Sequence, residues 1–471
     1  MPGLRGITGW GVHLPYRRLD RATIAAVAGT GGGTGTRTVA SYDEDTTTMG
    51  AEAARAALRG LPAGTHGHPQ ALWFATTQPA YADKTNATVL HAVLRLDRSV
   101  PAYDAVGSVR SALAALRAGW QGPGTALVVA SDARTGLPGS SDEASGADAA
   151  AALLIGGENA GPPVLAEVAA WESVTEEFTD RWKAPGDAVS RLWEERFGEA
   201  RYTRLGAEAL KLALGAVGIG ADAVDHLIVT GLHDRAAAAV AGRSGVAASA
   251  IADRLASSVG NPGAAQPGLL LAATLERARP GQWIAVVSLA DGADAIVLRT
   301  TDALAGYRPH RPVAAQAAAG GPISYGRYLH WRGLLPVEPP RRPEPARVSS
   351  PAAQRNAGWK YAFMASSSDD GLVHLPPSSL DDERTPAADT LGTIATFTVD
   401  RLSYSLSPPV VFAIVDFDGG GRLPVELTDV DAGEVAIGGR VEMTFRRLST
   451  ADAIHNYFWK ARPVRGTGEE A

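Results

Sequence analysis

Through its first three hundred residues the chain alternates short apolar runs with longer helix-patterned segments, an order that points to an α/β architecture. ALWFATTQP (71–79) reads as a buried strand, followed by the helical TNATVLHAVLRL (85–96). TALVVASDAR (125–134) is another strand, while GADAAAALLIG (146–156) fits strand or helix by propensity alone. The order then recurs with the helix RLGAEALKLALGAVG (204–218), the strand HLIVTGL (226–232) and the helix RAAAAVAGRSG (235–245). GNPGAAQPGLLLAATLERARPG (260–281) opens on turn residues and continues as a helix. It leads into the strand, Gly turn and strand of WIAVVSLADGADAIVLRTT (283–301). Two similar halves of about 150 residues suggest internal duplication; the alternative is that any two α/β segments look alike.

Between about 302 and 390 the character changes. PVEPPRRPEPARVSSP (336–351) has the Pro and charge content of a linker or a surface strap. GTIATFTVDRLSY (392–404), PPVVFAIVDFDG (408–419), GRLPVELTDV (421–430) and GRVEMTFRRLS (439–449) then read as successive strands between Gly, Asp and Pro turns. Short strands in so small a span suit a barrel of the OB type, a fold that does not by itself fix a ligand.

With 471 residues, 45% of them apolar, the chain is long enough for two or more packed units. A net charge of −6 argues against a nucleic-acid surface. The segment MPGLRGITGWGVHLP lacks the apolar core of a signal peptide, and no uninterrupted apolar stretch reaches membrane-spanning length. A cytoplasmic protein without membrane contact is therefore expected. There is no Cys, which removes disulfides, thiolate metal sites and thiol nucleophiles together.

The segments GITGWGVHLPYRRLDRATI (6–24), VASYDEDTTTMGAEAARAAL (39–58), DKTNATVLHAVL (83–94), SDEASGADAAAALLIG (141–156), VGNPGAAQPGLLLAA (259–273) and ARPGQWIAVVSLADGADA (278–295) follow one another in a recognisable order. They resemble the hydroxymethylglutaryl-CoA synthase branch of the thiolase superfamily, most closely its archaeal-type members. FTVDR, VDFDGGGRLPVELTDVD and GGRVEMTFRRL resemble the zinc-ribbon/OB-fold proteins that accompany thiolase-like enzymes of acyl-CoA metabolism. The resemblance implies a five-layered α/β/α/β/α core of two similar halves, residues 1–165 and 166–305. A linker and degenerate zinc ribbon (306–390) and an OB-fold barrel (391–465) would follow. It also implies acylation of a Cys by a thioester and attack by an enolate, assisted by a His and by an Asn or Glu.

Three of those four reactive positions are lost here. The Cys-bearing segment corresponds to GSVRSALAAL (107–116), which puts Val109 in the Cys position and Ser108 just before it. Thr76 or Thr77 replaces the Glu, and Thr230 the His, with His233 three residues on. Asn261 survives in VGNPG. Ser108 is either a nucleophile with His233 as its base or the N-cap of a helix. His233 is a proton shuttle or a solvated turn residue, and Asn261 polarises a carbonyl or simply shapes its turn. Arg110, at the helix start, is a candidate for binding a phosphate or carboxylate. The DED run at 43–45 offers paired carboxylates or a metal site or, ahead of a helix, caps and dipole-matching charge.

In the ribbon, Gly371, Pro376 and Pro377 keep the framework, but Ser367 and Asp370 stand at the first cysteine pair and His374 stands alone, so zinc is not expected. The expected function is C–C bond formation or cleavage beside a thioester carbonyl, aldolase- or acyltransferase-like, with coenzyme A or a carrier-protein thioester as substrate and no tightly bound cofactor. Some thiolase-like proteins partnered with OB-fold modules are thought to act as aldolases. The alternative is a non-catalytic acyl-CoA-binding or scaffold partner of an active synthase. A homodimer is expected, formed through a sheet edge, with the barrel lying across the mouth of the pocket.

Overall fold

The computed structural model describes residues 4–61, 68–157, 161–381 and 383–465. The apolar runs of both halves meet in one nine-stranded sheet. The first half supplies β1 (Arg5–His13), β2 (Ala71–Thr76), β3 (Ala102–Val106), β4 (Ala126–Ala133) and β5 (Asp148–Gly157). The second supplies β6 (Ala166–Val174), β7 (His226–Gly231), β8 (Trp283–Leu289) and β9 (Ala293–Thr300). Their spatial order is β7-β8-β9-β6-β1-β5-β4-β2-β3.

Six helices complete the layers: α1 (Thr46–Arg59), α2 (Ala87–Val93), α3 (Ser111–Gln121), α4 (Glu195–Val217), α5 (Asp234–Arg243) and α6 (Gln266–Leu275). Buried residues of α1 and α2 share one core with the first-half strands. Those of α3 and α6 sit between strands of both halves, and α4 and α5 cover the far face of the second half. This is the five-layered thiolase-like arrangement. Helix α6 (QPGLLLAATL) is apolar on every side because it lies in the middle layer, and Pro267 sits in its first turn, where no N–H partner is lost.

The duplication is visible in the element order. β1-α1-β2-α2-β3-α3-β4-β5 is matched by β6-α4-β7-α5, then α6-β8-β9. The counterpart of β3 is reduced to a parallel bridge, Leu227 to Ile251. GADAAAALLIG resolves as strand: β5 pairs with β1 and β4 along its length and is buried on both faces. Its small Ala side chains let α1 and α6 approach, so tertiary context overrides helix propensity. The halves join where Gly6 and Ile7 of β1 meet Glu167 and Ala166 of β6. A Cβ at Gly6 would run into the Ala166 carbonyl oxygen.

The C-terminal strands β10 (Gly392–Asp400), β11 (Val410–Phe417), β12 (Arg422–Leu427), β13 (Arg440–Ala451) and β14 (Ile454–Pro463) close into a barrel in the order β10-β11-β12-β14-β13. Alternate residues such as Val411, Ala413, Val415, Val425 and Phe445 fill it. The barrel's position differs from expectation. It packs on the outer face of α1, and no residue beyond Asp291 lines the pocket described below, so the barrel does not cover the mouth. The reason is electrostatic. Glu52 and Arg55, on the α1 face that reads as solvent-exposed, are buried against Arg462 and Asp389, at 3.1 and 2.8 Å. In the DED run, Asp45 is the N-cap of α1, as its cap reading requires, while Asp43 and Glu44 turn inward to the barrel cations. Lys460 stands 3.0 Å from Asp43, and Arg446 2.6 Å from both Glu44 and Asp429. Burial, which raises a carboxyl, is outweighed at Asp43 by Lys460 and Arg446, which draw it down to about 2.

Candidate active site

A cavity of about 400 Å³ opens where β2, β4, β7 and β8 end, at the N-terminus of α3. This is the end of a parallel arrangement where ligands of α/β folds collect, because strand ends and helix N-termini converge there. Its roof is a hairpin missed in the sequence, with short strands Arg181–Trp182 and Arg191–Leu192. Arg181 anchors the roof by two hydrogen bonds to the Asp142 carboxylate, at 2.6 and 2.7 Å. The segment has no helical or strand period over any length. Its available signal is a Pro-Gly turn at 185–186 between two tryptophans, Trp182 and Trp193.

Thr77, Ser108, Val109 and His233 lie on the cavity wall; Arg110, Thr230 and Asn261 do not. The Ser108 hydroxyl accepts the Arg110 N–H at 3.2 Å, a local turn just ahead of α3; the N-cap itself is Arg110, without a side-chain cap bond, so Ser108 is not the N-cap the sequence offered. The Val109 side chain offers no nucleophile, and its N–H makes no hydrogen bond among the described residues. His233 caps α5: its Nδ1 accepts the Ala236 N–H at 3.2 Å, and its Nε2 donates to the Glu195 carbonyl at 2.8 Å. Those two partners fix the tautomer and occupy both ring nitrogens. No hydrogen bond links His233 to Ser108.

Arg110 points away from the cavity, with Nε 2.9 Å from Asp294 and other donors on the Asp291 carbonyl and the Thr175 hydroxyl. Thr230 is buried in β7 and directs its hydroxyl at the Val287 carbonyl. Asn261 is buried and braces its own turn, donating to the Gly231 carbonyl at 2.8 Å and accepting the Gly263 N–H at 3.0 Å. Behind Thr77 lies Asp132, fully buried. It takes the Thr77 N–H, the Thr76 hydroxyl and the Ala264 N–H, tying β2 to the Asn261 turn. Burial pushes its carboxyl up, against those hydrogen bonds.

Further groups on the wall escape the sequence reading, Tyr202 and Asp180 among them. Tyr202, on α4, donates its phenol to Asp180 at 3.0 Å and accepts the Asp291 N–H at 3.4 Å. Burial, reinforced by the charges of Asp180 and Asp291, holds that phenol far above its ordinary value, so it is a neutral donor at working pH.

The ribbon does not fit zinc. Its three short strands gather a Ser and an Asp–His pair instead of thiolates. Asp381 accepts from Ser366 at 2.6 Å and from His374 at 2.7 Å, and among the described residues no three His, Cys, Asp or Glu converge as metal ligands.

Residues 385–446 match the family described as the C-terminal OB-fold domain of ChsH2. The hydroxymethylglutaryl-CoA synthase of Aeropyrum pernix is 30% identical over 350 residues, which span 70% of this chain and 95% of that protein. Among solved structures, an HMG-CoA synthase complexed with CoA superposes with a TM-score of 0.60 at 16% identity, over 69% of this chain and 89% of the other. The HMG synthase of the curacin biosynthetic pathway, in complex with acetyl donor-ACP, gives 0.59 at 16% identity, over 70% and 88%. The fold is thus that of the thiolase-like synthases, and the chain belongs to the hydroxymethylglutaryl-CoA synthase family, carrying a C-terminal OB-fold barrel.

Proposed function

We propose that the protein makes or breaks a C–C bond beside the carbonyl of an acyl thioester, of coenzyme A or a carrier protein, without a cysteine acyl-enzyme. The observation that carries this is the roofed cavity at the start of α3, lined by Val109 in a chain without cysteine; the resemblance expects the nucleophile at that position. The thioester oxygen sits at the Val109 N–H, where the helix dipole adds to its stabilisation as enolate charge develops. In the cleavage direction Asp180 takes the proton of a β-hydroxyl, the bond between the α and β carbons breaks to leave a carbonyl, and the enolate is then protonated at carbon. Tyr202 orients Asp180 as a neutral donor. In the forward direction the same carboxylate removes the α-proton. The protein works in the cytoplasm, beside its thioester pool, and needs no metal.

A second copy docks on the open edge strand β3, where Tyr103 and Val106 are 47% and 49% exposed. The rival reading, a non-catalytic acyl-CoA-binding scaffold, is favoured by one observation: both His233 nitrogens are hydrogen-bonded to backbone groups, and the Ser108 hydroxyl accepts the Arg110 N–H rather than pairing with His233.

The test is incubation with β-hydroxyacyl-CoA esters, following release of the carbonyl fragment, with intact-mass measurement in parallel. Turnover without added acyl mass, lost in Asp180→Asn while binding persists, is the expected result. Binding without turnover supports the scaffold. An acyl adduct that vanishes in Ser108→Ala makes the protein a serine acyltransferase and overturns the proposal.

A further inference from the structure

A second cavity, of about 60 Å³, lies away from the candidate active site, in the seam where the barrel meets the core. Tyr16 and Gln316 bound it on the core side, Glu442, Arg462 and Arg465 on the barrel side, with Arg311 between them. At ~15 Å³ for each water, such a space holds about four waters or one tetrahedral oxyanion. Positive charge is in excess around it. Arg311 and Arg462 share a single carboxylate oxygen, Glu442 Oε1, the second from 3.0 Å. The Nε and Nη1 of Arg311 make no hydrogen bond among the described residues. Burial and the charge of Arg462 hold its guanidinium down to about 10, although Glu442 pulls it up. Arg465 donates to the Asp429 carbonyl and stacks on Tyr16, its Cζ 3.7 Å from the ring centroid, which fixes the guanidinium plane and leaves its remaining N–H groups free. The Asp429 carboxylate is claimed by Arg446 through Oδ2, while its Oδ1 is buried and takes no hydrogen bond among the described residues. The cavity thus has unused cationic donors and, beside them, one unserved carboxylate oxygen. Sulfate satisfies the donors but has no proton for Asp429, and water serves both without neutralising the charge.

Independently of the acyl-thioester reading, we propose that this cavity is a phosphate site, in which Arg311 and Arg465 donate to the phosphoryl oxygens and the phosphate O–H turns to Asp429. These are charge-assisted bonds in a partly buried seam. The ion joins the end of the barrel, at Arg465, to Arg311 of the connecting segment and so holds the barrel on the core. It binds only the docked arrangement, and therefore raises stability as its concentration rises.

The experiment is calorimetric titration of the full-length protein at pH 7 and constant ionic strength with inorganic phosphate, sulfate and glycerol 3-phosphate, for wild type, Arg465→Gln and Arg311→Gln. Wild type should bind one phosphate per chain, about tenfold or more tightly than sulfate, and its melting temperature should rise with phosphate. Each Gln variant should lose about tenfold or more in phosphate affinity, and the thermal shift with it. Glycerol 3-phosphate binding as tightly as phosphate assigns the site to the phosphoryl end of a monoester, and weaker binding assigns it to the free ion. If Arg311→Gln does not fold, Arg465→Gln, two residues beyond the last barrel strand, decides with the wild-type preference. Absence of phosphate binding, equal binding of sulfate, or phosphate affinity unchanged in Arg465→Gln overturns the proposal; the acyl-thioester reading is untouched by any of these.

Discussion

Arg446→Met tests whether the seam between core and barrel is dry. The Arg446 side chain is fully buried and neutralises Glu44 and Asp429 at 2.6 Å each, with Asp43 at 3.6 Å. Methionine fills much of the same volume but leaves Asp43 with Lys460, Glu44 with His13, and Asp429 without its 2.6 Å partner. Removing one partner of a buried ion cluster costs about 3–5 kcal/mol. The titration of Asp43 gives an independent scale. Its fall from an ordinary 3.8 to about 2 corresponds to ~2 kcal/mol, for one of the three carboxylates. Because the folded value lies below the unfolded one, this stabilisation is complete above about pH 4 and is lost as the pH falls towards 2. Without Arg446 the carboxyl moves up towards its unfolded value, so this part of the acid dependence disappears and the variant's stability should fall less steeply below about pH 4. Urea unfolding at pH 7, followed by the fluorescence of Trp459 and its neighbours, should show the stability loss. Repetition towards pH 3 should show the gap from wild type narrowing, as the carboxyls protonate in both proteins. A loss below about 1 kcal/mol at pH 7, with an unmoved acid limb, would refute the reasoning and mean that water solvates the seam.

Gly6→Val should destabilise by several kcal/mol, since its side chain must displace the Ala166 carbonyl at the join between halves; a melting temperature within a degree of wild type contradicts the close approach. On the proposed edge-to-edge dimer, wild type should give the mass of two chains in light scattering at micromolar concentration and Val106→Lys, which places charge on the edge strand β3, the mass of one; a two-chain mass in both moves the interface elsewhere.

The layers of the core were legible because apolar runs and helical periods are set by burial, which the sequence records directly. Strand 71–76 and helix 266–275 are examples, and the motifs around Val109 and Asn261 located the strand ends that meet at the cavity. β5 was ambiguous, because ten residues rich in Ala choose strand only when β1 and β4 are there to pair with them. The barrel's docking face was illegible for a related reason: Glu52 and Arg55 look like a solvated helix face until their partners, far along the chain, are in place. At the site, Thr77, Ser108, Val109 and His233 were located on the wall, but Asp180, Tyr202 and Arg134 were not anticipated as wall residues. The first lies in an irregular hairpin, and the other two sit in segments whose apolar pattern draws attention to the core.

The seam also sets an order of events during synthesis. Arg462 follows Glu52 by 410 residues, so at ~5–20 residues per second about 20–80 s separate an acid from its cation on the ribosome. Through that interval the outer face of α1 must wait in water. A wholly apolar face would be a docking site for any other unfinished chain, whereas Asp43, Glu44 and Glu52 keep theirs hydrated until the last two barrel strands emerge. The charges that lock the finished molecule are, before that, what keeps the unfinished one from sticking.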